Sequence, residues 1–563
     1  VLSAIGLIKS EAQIIINVPL GQTLNYGALS GSSYTFRGAG RINLNANNTA
    51  VTGAVIVEGV NIYLGSTNSA LSNISNLTIR NGASVIVSNP AIRNRLSDYA
   101  PISLDGGHLI FTHLPYSTNA AATGERIGTI HLLGGGNSLE IRGDSVSPYR
   151  YSLTTGGIVR GDIKSTLYLH LESGMTASPS NPIWYNSISL IKSDTLPEMI
   201  NGIMPYSVIR FLYRSIYNTM DSIYFSHSEW NGWDGKFDIH ADFSQGSSQD
   251  TWGSDTLNVS ISANQTLNAN RTINSLRLVD NHAVNLNGYT LSVNAGAFLT
   301  ARANRQQWIE NGTLTTAQNR YFFHIYGTRL SVSSNISGGG KELVKSGPGE
   351  LVFYGNQSNA YTGTTYIHEG TLVLSKSPNA KAVGNIIVGD GGGTDTLRLD
   401  QSHQIDDLAT VRLKGASRAK NMTAQGVLQF NGAGGIGLTE KIHTLEVEGQ
   451  GVINFAGGTL ARPNVLETTR VLLPTADDTL FIRNWIEYED YFLVTRAFAP
   501  NAVELARIWF EGWQPGAKLR DYNASHWEIV PYGSPEPATY GAILGAVGLG
   551  LWSWRRKRRK PSD

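Results

Sequence analysis

Gly347 to Val383 reads GPGELVFYGNQSNAYTGTTYIHEGTLVLSKSPNAKAV, and Gly38 to Leu71 reads GAGRINLNANNTAVTGAVIVEGVNIYLGSTNSAL. With two or three small gaps, both spell Gly-x-Gly, a strand, an Asn-rich turn, Thr-Gly, a strand, Glu-Gly and a strand. Short runs in which apolar and polar residues alternate are the pattern of half-buried strands, each ended by a turn former. Glycine at each corner supplies positive φ with no side chain in the way of a chain that coils back on itself. Three strands and three corners make one coil of a parallel β-helix, whose coils stack strand on strand around a continuous apolar column. The expected fold is therefore all-β, a right-handed parallel β-helix (β-solenoid).

The same texture extends outward in both directions. Arg41 to Leu44, Ala54 to Val57, Leu77 to Ile79 and Ser84 to Val87 alternate on the N-terminal side, and Leu276 to Leu278, Val284 to Leu286 and Leu291 to Val293 further on. The expected layout is an N-terminal β-helix over 13–195, an aromatic-rich insertion or cap over 196–250 and β-helix again over 251–478. A C-terminal cap and linker follow over 479–534. Roughly 20 coils of about 20 residues, stacked at about 4.8 Å, predict a single rod about 100 Å long. Within 196–250, Val208 to Tyr217 has the look of a helix. Tyr224, Trp230, Trp233 and Phe237 are residue types whose rings stack on the C–H faces of sugars, which makes them a candidate carbohydrate contact.

The lead-in to the second segment, with the segment itself, carries Leu343, Lys345, Gly347, Gly349, Leu351, Phe353, Asn356, Tyr361, Thr362, Gly363, Thr365, Gly370, Thr371 and Leu372. This spelling, over about 338–376, resembles the autotransporter-associated β-strand repeat, with one extra residue in the turn Asn356 to Ala360. Turns absorb such insertions. The resemblance implies an exported passenger-type coil.

The C-terminal residues 535–563 follow a different order. Pro535, Glu536 and Pro537 form a stiff triplet, Ala538 to Trp554 an uncharged run of 17 residues, and Arg555, Arg556, Lys557, Arg558, Arg559 and Lys560 a basic block. The run sits at the lower limit of a membrane-spanning helix, and the basic block marks a cytoplasmic end. Proline offers a processing enzyme a rigid extended segment outside the membrane. The order resembles the PEP-CTERM sorting signal of Gram-negative bacteria that make extracellular polysaccharide, and the whole layout resembles exported repeat proteins of Verrucomicrobia-like bacteria. The resemblance implies an exosortase as processing partner, a transient or permanent anchor bounded by Ala538 and Trp554, and delivery to the envelope surface or extracellular matrix. At the other end, Val1 to Ile8 followed by Ser10-Glu11-Ala12 fits the remnant of a signal peptide over 1–12.

Composition narrows the function. The chain has 61 glycines, 15% charged residues and a net charge of +1, which falls to −5 without the six terminal cations. No basic stripe is left to track phosphates, which argues against nucleic acid as a partner. Cysteine is absent, which removes thiol catalysis and thiolate metal sites. Gly432 to Gly437 spells G-x-G-x-x-G, a fingerprint that works only at the start of a helix, whereas Lys441 to Val447 alternates like a strand. Asp390 to Leu397 approaches a calcium-binding nonapeptide but stands as one copy where tandem copies share each ion, and reads as a glycine-rich corner. His227 to Glu229 and Asp238 to Asp242 are His/acid clusters with no third metal ligand at the usual spacing. The expected function is that of an exported, non-catalytic structural or adhesive protein of the envelope or an exopolysaccharide matrix, with no catalytic residues, cofactor or metal. The alternatives are a β-helical polysaccharide lyase or hydrolase, and a carbohydrate- or ice-binding module.

Overall fold

The computed structural model describes residues 13–66, 69–88, 94–112, 123–142, 151–175, 190–215, 219–231, 236–241, 248–302, 304–378, 380–416, 424–432, 436–459 and 461–534. Among them, four sheets carry nearly all the regular structure, seven- and thirteen-stranded in the N-terminal half and fifteen- and eleven-stranded in the C-terminal half. Nearly every pairing is parallel and joins a strand to its counterpart one coil away. Successive strands of the seven-stranded sheet start at residues 14, 34, 54 and 76, a coil of about 20 residues. This is the geometry of a β-solenoid.

Register explains why the short alternating runs suffice. Ile42, Ile62, Val85, Leu109, Leu139, Leu169 and Ile209 are successive partners on one face, and all are fully buried. Phe36, Val57, Ile79, Leu104 and Leu132 do the same on another. Burying each such side chain is worth about 1.5–3 kcal/mol. The C-terminal half repeats the device with Leu330, Leu351, Leu372, Leu397, Leu428, Ile453, Ile482 and Phe510.

The repeat glycines have a steric reason. A Cβ on Gly347, at φ +79°, would lie 2.5 Å from the Ile325 carbonyl oxygen, and one on Gly349 would lie 2.0 Å from that of Gly327. The repeat lysine has one too. Lys345 points into the column between Phe323 and Ile367, fully buried, where its Nζ donates to the carbonyls of Gly347 and Glu369 and ties two corners together. Burial pushes this ammonium down to about 8, with Glu369 and Asp395 opposing the shift, so it stays largely charged at pH 7.

Two expectations are corrected. Val208 to Ser215, the described part of the expected helix, is not helical: Met204–Ser215 is a strand paired in parallel with Thr166–Met175. It supplies the next rung of a column already formed below it, so tertiary pairing overrides local propensity. Thr219–Asn231 and Lys236–Ala241 then turn antiparallel and connect this face to the strand Leu190–Ser193, closing the end of the N-terminal solenoid. Nor do the coils stack into one rod. Phe322, Val344 and Tyr366, on the outer face of the fifteen-stranded sheet, belong to the core cluster of the N-terminal half. The two solenoids lie side by side.

At the other end of the C-terminal solenoid, Asp490–Thr495 pairs antiparallel with His526–Pro531, which pairs antiparallel with Ala517–Asp521. Arg520, buried between Glu528 at 3.0 Å and Glu487 at 2.6 Å, pins this closing sheet. Among the described residues, no helix is long and apolar enough to cross a membrane.

Candidate functional site, the cleft between the solenoids

The seam between the solenoids begins as an apolar column. Phe322, Val344, Tyr366 and Ile387 are register partners on successive strands, and all four pack against the N-terminal half. The Arg160 guanidinium lies over the rings of Tyr206 and Phe322, at 4.3 and 5.5 Å, and the Lys164 ammonium lies 4.9 Å from the Tyr366 ring centre. A smaller cluster adds Ala295, Ala297, Leu299 and Ala301 against Ile203, Val208 and Phe225.

Two residues further along the same strands the outward column turns polar, with His324, Ser346 and His368. The facing sheet answers with its own ladder, His108, Ser138 and Tyr168 as one set of partners and Glu140, His170 and Arg210 as the next. The walls part here into a cleft of about 690 Å³, reached also by Arg302, Arg305, Tyr326, Glu369 and Asp390. This is within the roughly 300–1,000 Å³ of small-ligand sites.

Hydrogen bonds fix the state of several of these groups. His324 Nε2 lies 2.8 Å from the Pro205 carbonyl, which only accepts, so that nitrogen carries the proton. Nδ1 therefore accepts from the Ser346 hydroxyl at 2.6 Å. This serine–imidazole pair is poorly suited to nucleophilic catalysis, because burial pushes His324 down to about 4 and leaves a weak base. Across the cleft the Ser138 hydroxyl donates to Glu140 at 2.9 Å, so His108 Nδ1, 2.9 Å from the Ser138 oxygen, is its donor. Burial lowers His108 as well and pushes His368 down to about 3. All three imidazoles are neutral at pH 7. They act as hydrogen-bonding groups, not as charges.

Asp390 bridges the solenoids. Its Oδ2 accepts from the Gly136 amide at 2.6 Å and its Oδ1 from the Gly392 amide at 2.8 Å. Burial raises it to about 6. The Tyr168 and Tyr326 rings, one from each solenoid, stack with centres 5.3 Å apart. His368 is 6% exposed, and its Nδ1 has no hydrogen-bond partner among the described residues.

The residues singled out from sequence fall elsewhere. Tyr224 is half-buried, with the Arg277 guanidinium 4.0 Å from its ring centre, where the N-terminal hairpin meets the C-terminal solenoid. Trp230 and Phe237 are register partners in that hairpin, as are His227 with His240 and Glu229 with Asp238. Trp233 lies outside the described residues, as do residues 1–12 and the whole of 535–563, from Pro535 through Lys560. A strand, Thr439–Glu448, follows the Gly432 to Gly437 run, so no helix dipole is available to a pyrophosphate there. Among the described residues no group of three or more His, Asp or Glu is placed to hold a metal ion.

The polar columns were missed because their members lie between 114 and 260 residues apart in the chain and are brought together only by the seam. A fainter signal was legible. Tyr321-Phe322-Phe323 and Leu343-Val344 break alternation, and a strand that is apolar on consecutive residues has both faces covered.

Residues 343–374 match the family described as Passenger-associated-transport-repeat. Over 148 residues the chain is 30% identical to the protein named Adhesin BmaC autotransporter of Brucella suis biovar 1 (strain 1330), an alignment that covers 25% of this chain and 4% of that relative.

Proposed function

We propose that this protein is an exported β-solenoid with a structural or adhesive, non-catalytic role at the cell envelope or in an extracellular polysaccharide matrix. The observation that carries this reading is the coil at 343–374. Its sequence matches a passenger-type transport repeat, and it is continuous with coils above and below that resemble it in build. The similarity to a protein named as an autotransporter adhesin supports the same reading, over a small part of that relative.

Delivery is the finer part of the proposal. Pro535, Glu536 and Pro537 would be recognised by an exosortase, with Ala538 to Trp554 as the anchor and Arg555 to Lys560 as the orientation lock before removal. The partners would then be the exosortase, the membrane through the C-terminal run, and envelope or matrix polysaccharide. A right-handed winding, the hand that parallel crossovers adopt, belongs to this reading.

The test is the intact mass and location of the protein from its native host. Loss of the residues after about Pro537, with the protein at the surface or in the matrix, supports the proposal. An intact basic tail in the inner-membrane fraction overturns exosortase sorting, and a protein that stays in the cytoplasm overturns the exported reading altogether.

A further inference from the structure

We propose that the cleft between the two solenoids is a saccharide-binding site, in which Ser346, His368 and Arg305 hydrogen-bond a sugar's hydroxyls and the Tyr168–Tyr326 pair provides a wall for its ring. The cavity is built by both halves of the chain at the point where the apolar seam ends. His368 supplies the sharpest clue to ligand chemistry. It is more than nine-tenths buried, lines the cleft and leaves Nδ1 without a partner among the described residues. A buried polar atom left in that state is costly, so a ligand that satisfies it gains affinity by relieving that cost.

A hydroxyl is the group that fits. It donates and accepts, so it pairs with Nδ1 in either tautomer, whereas a carboxylate serves only a protonated nitrogen and an ammonium only a bare one. Charge does not favour an anion, because Arg302 and Arg305 both lie within 3.4 Å of Asp280, and Glu140 and Asp390 also line the cleft. The walls are rich in hydroxyl and imidazole groups and carry two aromatic rings, one from each half. Hydroxyl-bearing rings with C–H faces match both features.

The assignment rests on the matrix-facing reading only for the choice of polysaccharide. The probe is a set of hexasaccharide fragments of the host's own matrix polysaccharide, titrated calorimetrically into the full-length chain in detergent. We expect saturable binding that His368→Ala and Tyr326→Ala each weaken at least tenfold, while Lys441→Ala, at an exposed position away from the cleft, leaves it unchanged. Arg305→Ala, at a rim position 45% exposed on its side chain, guards against a buried variant that fails to fold, and should weaken binding several-fold. Absence of saturable binding overturns the proposal, and so does binding that no cleft variant alters. Location is measured separately. A matrix-located protein whose cleft binds nothing refutes this site alone, and a binding-competent protein that is never exported refutes the sorting reading alone.

Discussion

The two solenoids are built on the same coil but place their buried cations differently. On the N-terminal side the columns through Phe36, Val57, Ile79, Leu104 and Leu132, and through Ile42, Ile62, Val85 and Leu109, are hydrocarbon throughout. On the C-terminal side a charge interrupts the column, where Lys345 sits between Phe323 and Ile367 with Asp395 and Glu369 as electrostatic neighbours. Burial raises Glu369 and pushes Asp395 well above the usual carboxylate range, and Lys345 opposes both shifts. The difference teaches what a solenoid corner needs. Where a turn is tight enough to strand carbonyls inside, one ammonium that reaches two of them replaces a layer of hydrocarbon. The N-terminal side meets the same need from a corner, where Arg95, 1% exposed, donates to the carbonyls of Leu64, Ser69 and Ser88.

The largest expected effect would break that comparison at Lys345. Lys345→Ala removes one member of a buried charged group and should destabilise by about 3–5 kcal/mol, read by denaturant unfolding. A loss below about 1 kcal/mol would mean that the corner carbonyls find other donors, and that the two interiors are equivalent in practice.

Next comes the bridge at Asp390. Its pKa is raised from 3.8 to about 6, so its contribution to stability is complete below about pH 3.8 and is lost as pH rises through 6. At about 1.36 kcal/mol per pKa unit, the full change is about 3 kcal/mol. Neighbouring buried imidazoles titrate with the opposite sign, since His324 is depressed to about 4 and His368 to about 3. The measurement is therefore the stability difference between wild type and Asp390→Asn at pH 4 and at pH 7. It should move in favour of the variant on going to pH 7, and a constant difference would refute the shift.

Val344 points the other way from Lys345, into the seam. Val344→Ala removes two methylene equivalents from that contact and should cost about 1.6 kcal/mol. If the seam holds the solenoids together, the loss appears in a single unfolding transition shared by both halves. Two separated transitions, only one of them shifted, would show that the halves unfold independently. The smallest effect belongs to the surface. Lys441 and Glu467 are paired at 2.5 Å with side chains 47% and 27% exposed, and Lys441→Ala should change stability by less than about 1 kcal/mol.

Much of this was legible in the text of the chain. Period-two alternation, corner glycines and the 347–383 spelling determined strands, coils and an inner column, because each depends on residues within one or two coils of one another. Gly347 and Gly349 were readable as corners for the same reason, since the approach of the neighbouring coil forbids a Cβ there. The lysine was visible as a motif letter, but its inward direction was not. Val208 to Tyr217 misled because a strand that completes an existing sheet gains more from pairing than it loses in local preference.

What the tertiary structure alone decided was the pairing of one solenoid with the other, and with it the cleft. His108 and His324 sit at outward strand positions and His368 just past the end of its strand, where a sequence reader expects solvent, and Asp390 sits in a glycine-rich corner whose second partner, the Gly136 amide, lies 254 residues away. Their burial follows from a second sheet arriving on the outer face of the first. Alternation within a strand records which side chains face inward; it does not record what comes to lie against the side left facing out.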